Sequence, residues 1–151
     1  AIATIEEELL FICEQSSVNL ANVDCSWLVD SGATFHLNPK RECFSSNTAG
    51  DYGYVRMGNG GECKIMGIGN VCLLTSTGCT LMLNDVHHVP NVRLNLISVG
   101  RLDDVGYNGS FHNGTWKFSK RGLIVTRSQK QNMLYVMHAR LCRDEENVVA
   151  D

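Results

Sequence analysis

Long apolar runs are missing from this chain of 151 residues. The two longest are far too short to span a bilayer, so no membrane partner is expected. Basic excess is missing too. Thirteen Lys and Arg stand against sixteen Asp and Glu, a net charge of −3. No basic stripe is available to neutralise phosphates, which argues against a nucleic-acid partner. Charge of either sign is sparse, 19% where average usage is about a quarter. Hydrophobic residues make up 44%, enough for one domain with a sizeable core. A basic leader is also lacking: Glu6-Glu7-Glu8 stands where one needs positive charge, so no signal peptide is expected. Of the seven cysteines, Cys13, Cys25, Cys43, Cys63, Cys72, Cys79 and Cys142, no two have Cys-x-x-Cys spacing. Their odd number and their places in apolar runs read as reduced, mostly buried thiols of a reducing compartment. His36, His87, His88, His112 and His138 could join them around zinc, but nothing has ligand spacing, so no metal is expected.

What the chain does have is Trp27-Leu28-Val29-Asp30-Ser31-Gly32-Ala33-Thr34. Three large apolar residues read as a buried strand, and Gly32 marks a tight turn. Asp30 then lies at the inner end of a core strand, where a charge is expensive unless its surroundings are arranged for it. One reading is an acid that merely opens a turn. The other is the aspartic-protease signature: two hydrophobic residues, Asp, Ser or Thr, Gly, then Ala or Ser.

In chain order, residues 1–7 read as a lead-in and Leu9–Cys13 as a first strand. Residues 36–50 read as mostly loop, anchored by Phe44. Tyr52–Met57 and Glu62–Met66 flank Gly58-Asn59-Gly60-Gly61, a hairpin signal because Asn and Gly tolerate positive φ. Gly67-Ile68-Gly69 allows a bulge before the strand Val71–Thr75. Cys79–Val86 alternates at Leu81, Leu83 and Val86, and on a strand His87 and His88 face opposite sides. Ser98 is placed to cap a short helix through Val105, closed by Gly106. Tyr107–Phe111, Thr115–Ser119, Leu123–Thr126 and Met133–Met137 then read as strands. The expected class is mainly β with one helix.

These motifs together resemble the protease region of copia-type LTR retrotransposon polyproteins, especially plant ones. The resemblance is carried by Trp27-x-x-Asp30-Ser31-Gly32-Ala33-Thr34-x-His36, Val55-x-Met57-Gly58-Asn59 and Ile65-x-Gly67-Ile68-Gly69. It continues through Leu83-x-Asp85-Val86-x-His88-Val89-Pro90, Asn95-Leu96-Ile97-Ser98 and Leu134-Tyr135. It implies a retropepsin-like closed β barrel with a flap hairpin and one short helix, acting as a two-fold homodimer. Asp30 would be catalytic, with Ser31, Gly32, Ala33 and Thr34 supporting the loop. Met57, Gly58, Asn59, Gly60 and Gly61 would form the substrate-binding flap. Leu96, Ile97 and Ser98 would pack beneath the loop, with Ser98 standing where that motif has glycine. Residues 1–25 would be a lead-in with a possible dimer strand, 26–106 the protease core, and 107–151 an extension toward the integrase.

Peptide hydrolysis by this chemistry needs two carboxylates in different protonation states. The chain carries one Asp-Ser-Gly, so the second must come from a second chain across a two-fold axis. No cofactor is expected. The substrate implied is the element's own polyprotein, bound as an extended strand in the cytoplasm within virus-like particles. The alternative is a catalytically inactive, host-retained binding or dimerisation module of the same fold.

Overall fold

The structure, a computed structural model, describes residues 4–5, 24–57 and 60–142. In chain order its strands are β1 (Thr4–Ile5), β2 (Asp24–Asp30), β3 (Leu37–Asn38), β4 (Ser46–Ala49), β5 (Tyr54–Met57) and β6 (Glu62–Lys64). They continue as β7 (Gly67–Thr75), β8 (Thr80–His88) and β9 (Asn95–Ser98). Helix α1 (Val99–Asp104) follows, then β10 (Asn108–His112), β11 (Thr115–Lys120), β12 (Leu123–Gln129) and β13 (Val136–Leu141). The expected first strand at Leu9–Cys13 lies outside the described residues.

The main sheet runs β13-β2-β9-β3-β8-β7-β4, and β13 also pairs with β7. Among the described residues this closes a six-stranded barrel, with β4 as a spur on β7. β2 is apolar throughout its inner half because both of its faces are covered. Trp27 and Val29 enter one core cluster with Leu73, Leu83, Ile97 and Met137. Leu28 enters a second with Ala33, Leu37, Val55, Ile65 and Leu96. Trp116, Phe118 and Val125, from the sheet β10-β11-β12, complete the first cluster. The strands beyond residue 106 therefore share a core with those before it, and β13 supplies a stave of the barrel.

The inward step from Leu83 to Val86 is three residues, which plain alternation cannot make. Asp85 takes φ 57° and the β7–β8 register shifts between Gly69 and Val71. The extra residue of this bulge sits on β8, opposite the glycines that suggested it. Gly69 has a different task. It pairs with Asn47 of β4, and a Cβ there would overlap the Ser46 carbonyl oxygen. Gly69→Ala is expected to destabilise the fold by about 1–3 kcal/mol through overpacking. Urea unfolding measures it, and an unchanged midpoint would contradict so close an approach of β4 to β7.

Three expectations need correction. Residues 36–50 are not mostly loop: they hold β3, a 3-10 turn at Arg41–Cys43 and β4. β3 is two residues long and exists because β8 and β9 flank it, a non-local cause. The last strand begins at Val136 rather than Met133. Asn132 and Met133 have φ 48° and 68°, and Gln131 and Leu134 exchange backbone hydrogen bonds of 2.7 and 2.8 Å. Those are the features of a tight two-residue hairpin turn, here built from residues of strand-like composition. Finally, not every cysteine is a thiol. The β13–β7 register brings Cys142 opposite Cys72, 70 positions away, with Cα atoms 5.4 Å apart and a disulfide between them. Cys43, Cys63 and Cys79 remain thiols.

Candidate active site

β2 delivers Asp30 to the surface from the middle of the barrel. On one side it runs parallel to β9, with Asp30 opposite Ser98. On the other, β13 pairs as far as Leu28, and Val29 N–H donates to the Tyr135 carbonyl at 2.8 Å. With both edges occupied, the strand end is fixed. The chain then turns at Ser31 and Gly32, both exposed, while Asp30 is half-buried. The Asp30 carboxylate Oδ1 accepts the Gly32 N–H at 2.8 Å, the Asx-type bond that favours Asp at turns. A Cβ on Gly32 would sit 3.3 Å from that oxygen, so the absence of a side chain permits the close approach. Ala33 is buried in the second core cluster, and Thr34 is exposed.

Ser98 is fully buried beneath this loop. Its hydroxyl donates to the Ala33 carbonyl at 2.8 Å and accepts the Arg101 N–H at 3.2 Å. One Oγ therefore ties the Asp30 loop to the first turn of α1, and the N-cap role explains a serine at this position. The Ser98 N–H in turn donates to His36 Nδ1 at 3.0 Å. Leu96 and Ile97 are buried in opposite core clusters, one on each face of β9.

A cleft of about 320 Å³ opens beside Asp30 and Ser31, lined by Leu28, Val29, Val99, Phe111, Leu134 and Tyr135, with Met133 at 78% exposure. Phe111 and Tyr135 meet edge-on at 4.8 Å. β5 and β6 form the hairpin, with Tyr54 opposite Lys64 and Arg56 opposite Glu62. Met57 ends β5, Gly60 takes φ 92°, and Gly61 leads into β6. Gly58 and Asn59 lie outside the described residues. Val55 and Ile65, both 1% exposed, seat the hairpin base on the cluster that also holds Ala33. The five histidines do not converge: among the described residues no three His, Cys, Asp or Glu side chains form a metal-binding group.

A family model described as the Pol polyprotein β-barrel domain matches residues 27–107, from within β2 to just past α1. The chain belongs to that family. Its relatives include a retrovirus-related Pol polyprotein from transposon TNT 1-94 of Nicotiana tabacum, 41% identical over 144 residues. These are 95% of this chain and 11% of that protein. A putative transposon Ty5-1 protein of Saccharomyces cerevisiae is 37% identical over 59% of this chain and 58% of its own length. A retrovirus-related Pol polyprotein from transposon RE2 of Arabidopsis thaliana is 41% identical over 51% of this chain and 5% of its own length. The chain thus spans only part of each. No solved structure matches it. The match to the β-barrel domain stops short of β13, the strand that closes the barrel here.

The polar framework beneath the site carried no role in the sequence reading. Asn38 Nδ2 donates to Asn95 Oδ1 at 3.0 Å, and Asn95 Nδ2 donates to the Ser26 carbonyl at 3.0 Å, joining β3, β9 and β2. Both asparagines are buried. The available signal was Asn95 between Leu94 and Leu96: a polar residue in a buried run must find partners.

Proposed function

We propose that this Pol β-barrel domain is the aspartic endopeptidase segment of a copia-type retrotransposon polyprotein, cutting that polyprotein as an extended strand. The observation that carries the reading is the setting of Asp30. A carboxylate stands at the end of a strand paired on both edges, oriented by the Gly32 N–H, on a loop pinned by Ser98, at the mouth of an apolar cleft. Relatives that are Pol polyproteins support the same reading.

Asp30 and Asp30 of a second copy would form the dyad. Two carboxylates in contact share one proton. The ionised one takes a proton from water as the oxygen attacks the scissile carbonyl carbon. The protonated one gives its proton to the carbonyl oxygen. As the tetrahedral intermediate collapses, the carboxyl that took the water proton gives it to the nitrogen and the C–N bond breaks. The other carboxylate takes a proton from one hydroxyl, and a carboxylic acid and an amine leave. The β5–β6 hairpin is the flap of this reading, closing main-chain hydrogen bonds onto the extended peptide.

The test is specific activity across a dilution series, with sedimentation on the same samples. The substrate is a fluorogenic peptide selected by cleavage from a proteome-derived peptide library. Activity per chain is expected to fall as the dimer dissociates. Constant activity per chain from a sedimenting monomer would overturn the two-chain dyad.

A further inference from the structure

We infer that His36 is a positioning residue for the Asp30 loop: its neutral Nδ1 lone pair anchors the Ser98 amide, and protonation of that nitrogen releases the loop. The inference rests on the endopeptidase reading above and adds a regulator of the same site.

The geometry assigns the tautomer. Ser98 N–H donates to His36 Nδ1, so the ring proton resides on Nε2. A second proton could enter only at Nδ1, turning the contact into two donors facing each other at 3.0 Å. Ser98 cannot shift alone, because its Oγ holds both the Ala33 carbonyl and the Arg101 N–H. Losing the His36 acceptor therefore loosens the loop three residues after Asp30 and the start of α1 together.

The neighbours all favour the neutral ring or carry no charge, apart from two carboxylates at a small opening. On α1, the Arg101 guanidinium lies 4.9 Å over the Phe35 ring and opposes a positive His36. On β8, His87 stacks on the other partner of that contact, Phe35, at 4.1 Å, and acts in the same direction. On β9, Ile97 and Ser98 are uncharged. Asp85 of β8 and Asp104 of α1 line, with His36 and Arg101, a cavity of about 60 Å³. Burial is the largest influence, and with Arg101 and His87 it lowers His36 from 6.5 to about 4. The ring stays a hydrogen-bond acceptor through the neutral and mildly acid range.

The experiment compares wild type, His36→Asn and His36→Leu on the library-selected peptide, with heteronuclear NMR of the ring nitrogens and of Ser98 amide exchange. All rates are taken where circular dichroism shows the folded state. Asn places Oδ1 near the Nδ1 position, an acceptor that does not titrate; Leu offers none. Wild-type kcat should fall in step with protonation of the His36 ring, with KM little changed. His36→Asn should retain kcat within about tenfold at neutral pH and lack that acid step. His36→Leu should lower kcat at every pH and speed Ser98 amide exchange by about tenfold or more. If the Leu variant does not fold, the Asn profile decides alone.

An acid step unchanged in His36→Asn overturns the inference, as does a ring carrying its proton on Nδ1. If either result comes with wild-type cleavage that Asp30→Asn abolishes, the endopeptidase reading stands without it. Absence of cleavage by the wild type overturns both, since a positioning residue needs a reaction to serve.

Discussion

Asp30→Asn is expected to reduce peptide cleavage by about 10³-fold or more while leaving the unfolding midpoint close to that of the wild type. The amide can still accept the Gly32 N–H through Oδ1, so the turn keeps its internal bond. What it cannot do is take a proton from water or give one to the scissile carbonyl. General acid–base catalysis by a positioned side chain is worth about 10²–10⁴-fold, and a symmetric dimer loses both groups at once. Initial rates and urea unfolding on the same preparations separate the two effects. Cleavage retained by the Asn variant would remove Asp30 from the chemistry. Lost cleavage with a collapsed midpoint would mean that the carboxylate serves the fold.

The second large effect is on stability in acid. His36 is 3% exposed, and its pKa is lowered to about 4 in the folded chain. The unfolded chain therefore takes up a proton first as pH drops below 6.5, while the folded chain refuses it until about 4. Stability is level above about 7 and declines through that interval, and the fall ends once both states are protonated. At 1.36 kcal/mol per pH unit this corresponds to about 3 kcal/mol. His87 is lowered as well, chiefly by burial, and adds to the loss in the same direction. Denaturant titrations at about pH 7 and about pH 4 check this, and His36→Asn should recover most of the difference. Equal stability at both pH values would show that the ring is protonated in the fold without penalty.

Local signals made much of the barrel legible. The apolar run into Asp30, the glycines Gly60 and Gly61 ahead of β6 and the Ser98 cap with Gly106 at φ 97° each announce themselves within a few residues. β3 did not, because Leu37 and Asn38 are a strand only between β8 and β9. Met133 misled because an apolar residue holds a left-handed turn position that composition does not mark. The pairing of Cys72 with Cys142 needs the closed barrel, since residues 70 apart meet only through the β13–β7 register.

The site divides in the same way. The Asp30 loop could be read directly, because its geometry is set by adjacent residues. Its support could not. His36 and Ser98 are 62 positions apart, and Asn38 and Asn95 are 57 apart. Each pair meets because β3 pairs antiparallel with β9, Leu37 opposite Leu96, and brings distant segments side by side; no spacing rule encodes that.

The most direct test of the two-chain dyad is a mixing titration. Wild-type chain is held at a fixed concentration, and Asp30→Asn chain is added in rising excess under conditions where dimers exchange. Each mixed dimer would carry a single carboxylate, so activity per wild-type chain should fall toward zero as homodimers are diluted out. Activity that stays constant while wild-type chain co-purifies with an affinity-tagged Asp30→Asn chain would contradict the account, because each Asp30 would then be acting alone.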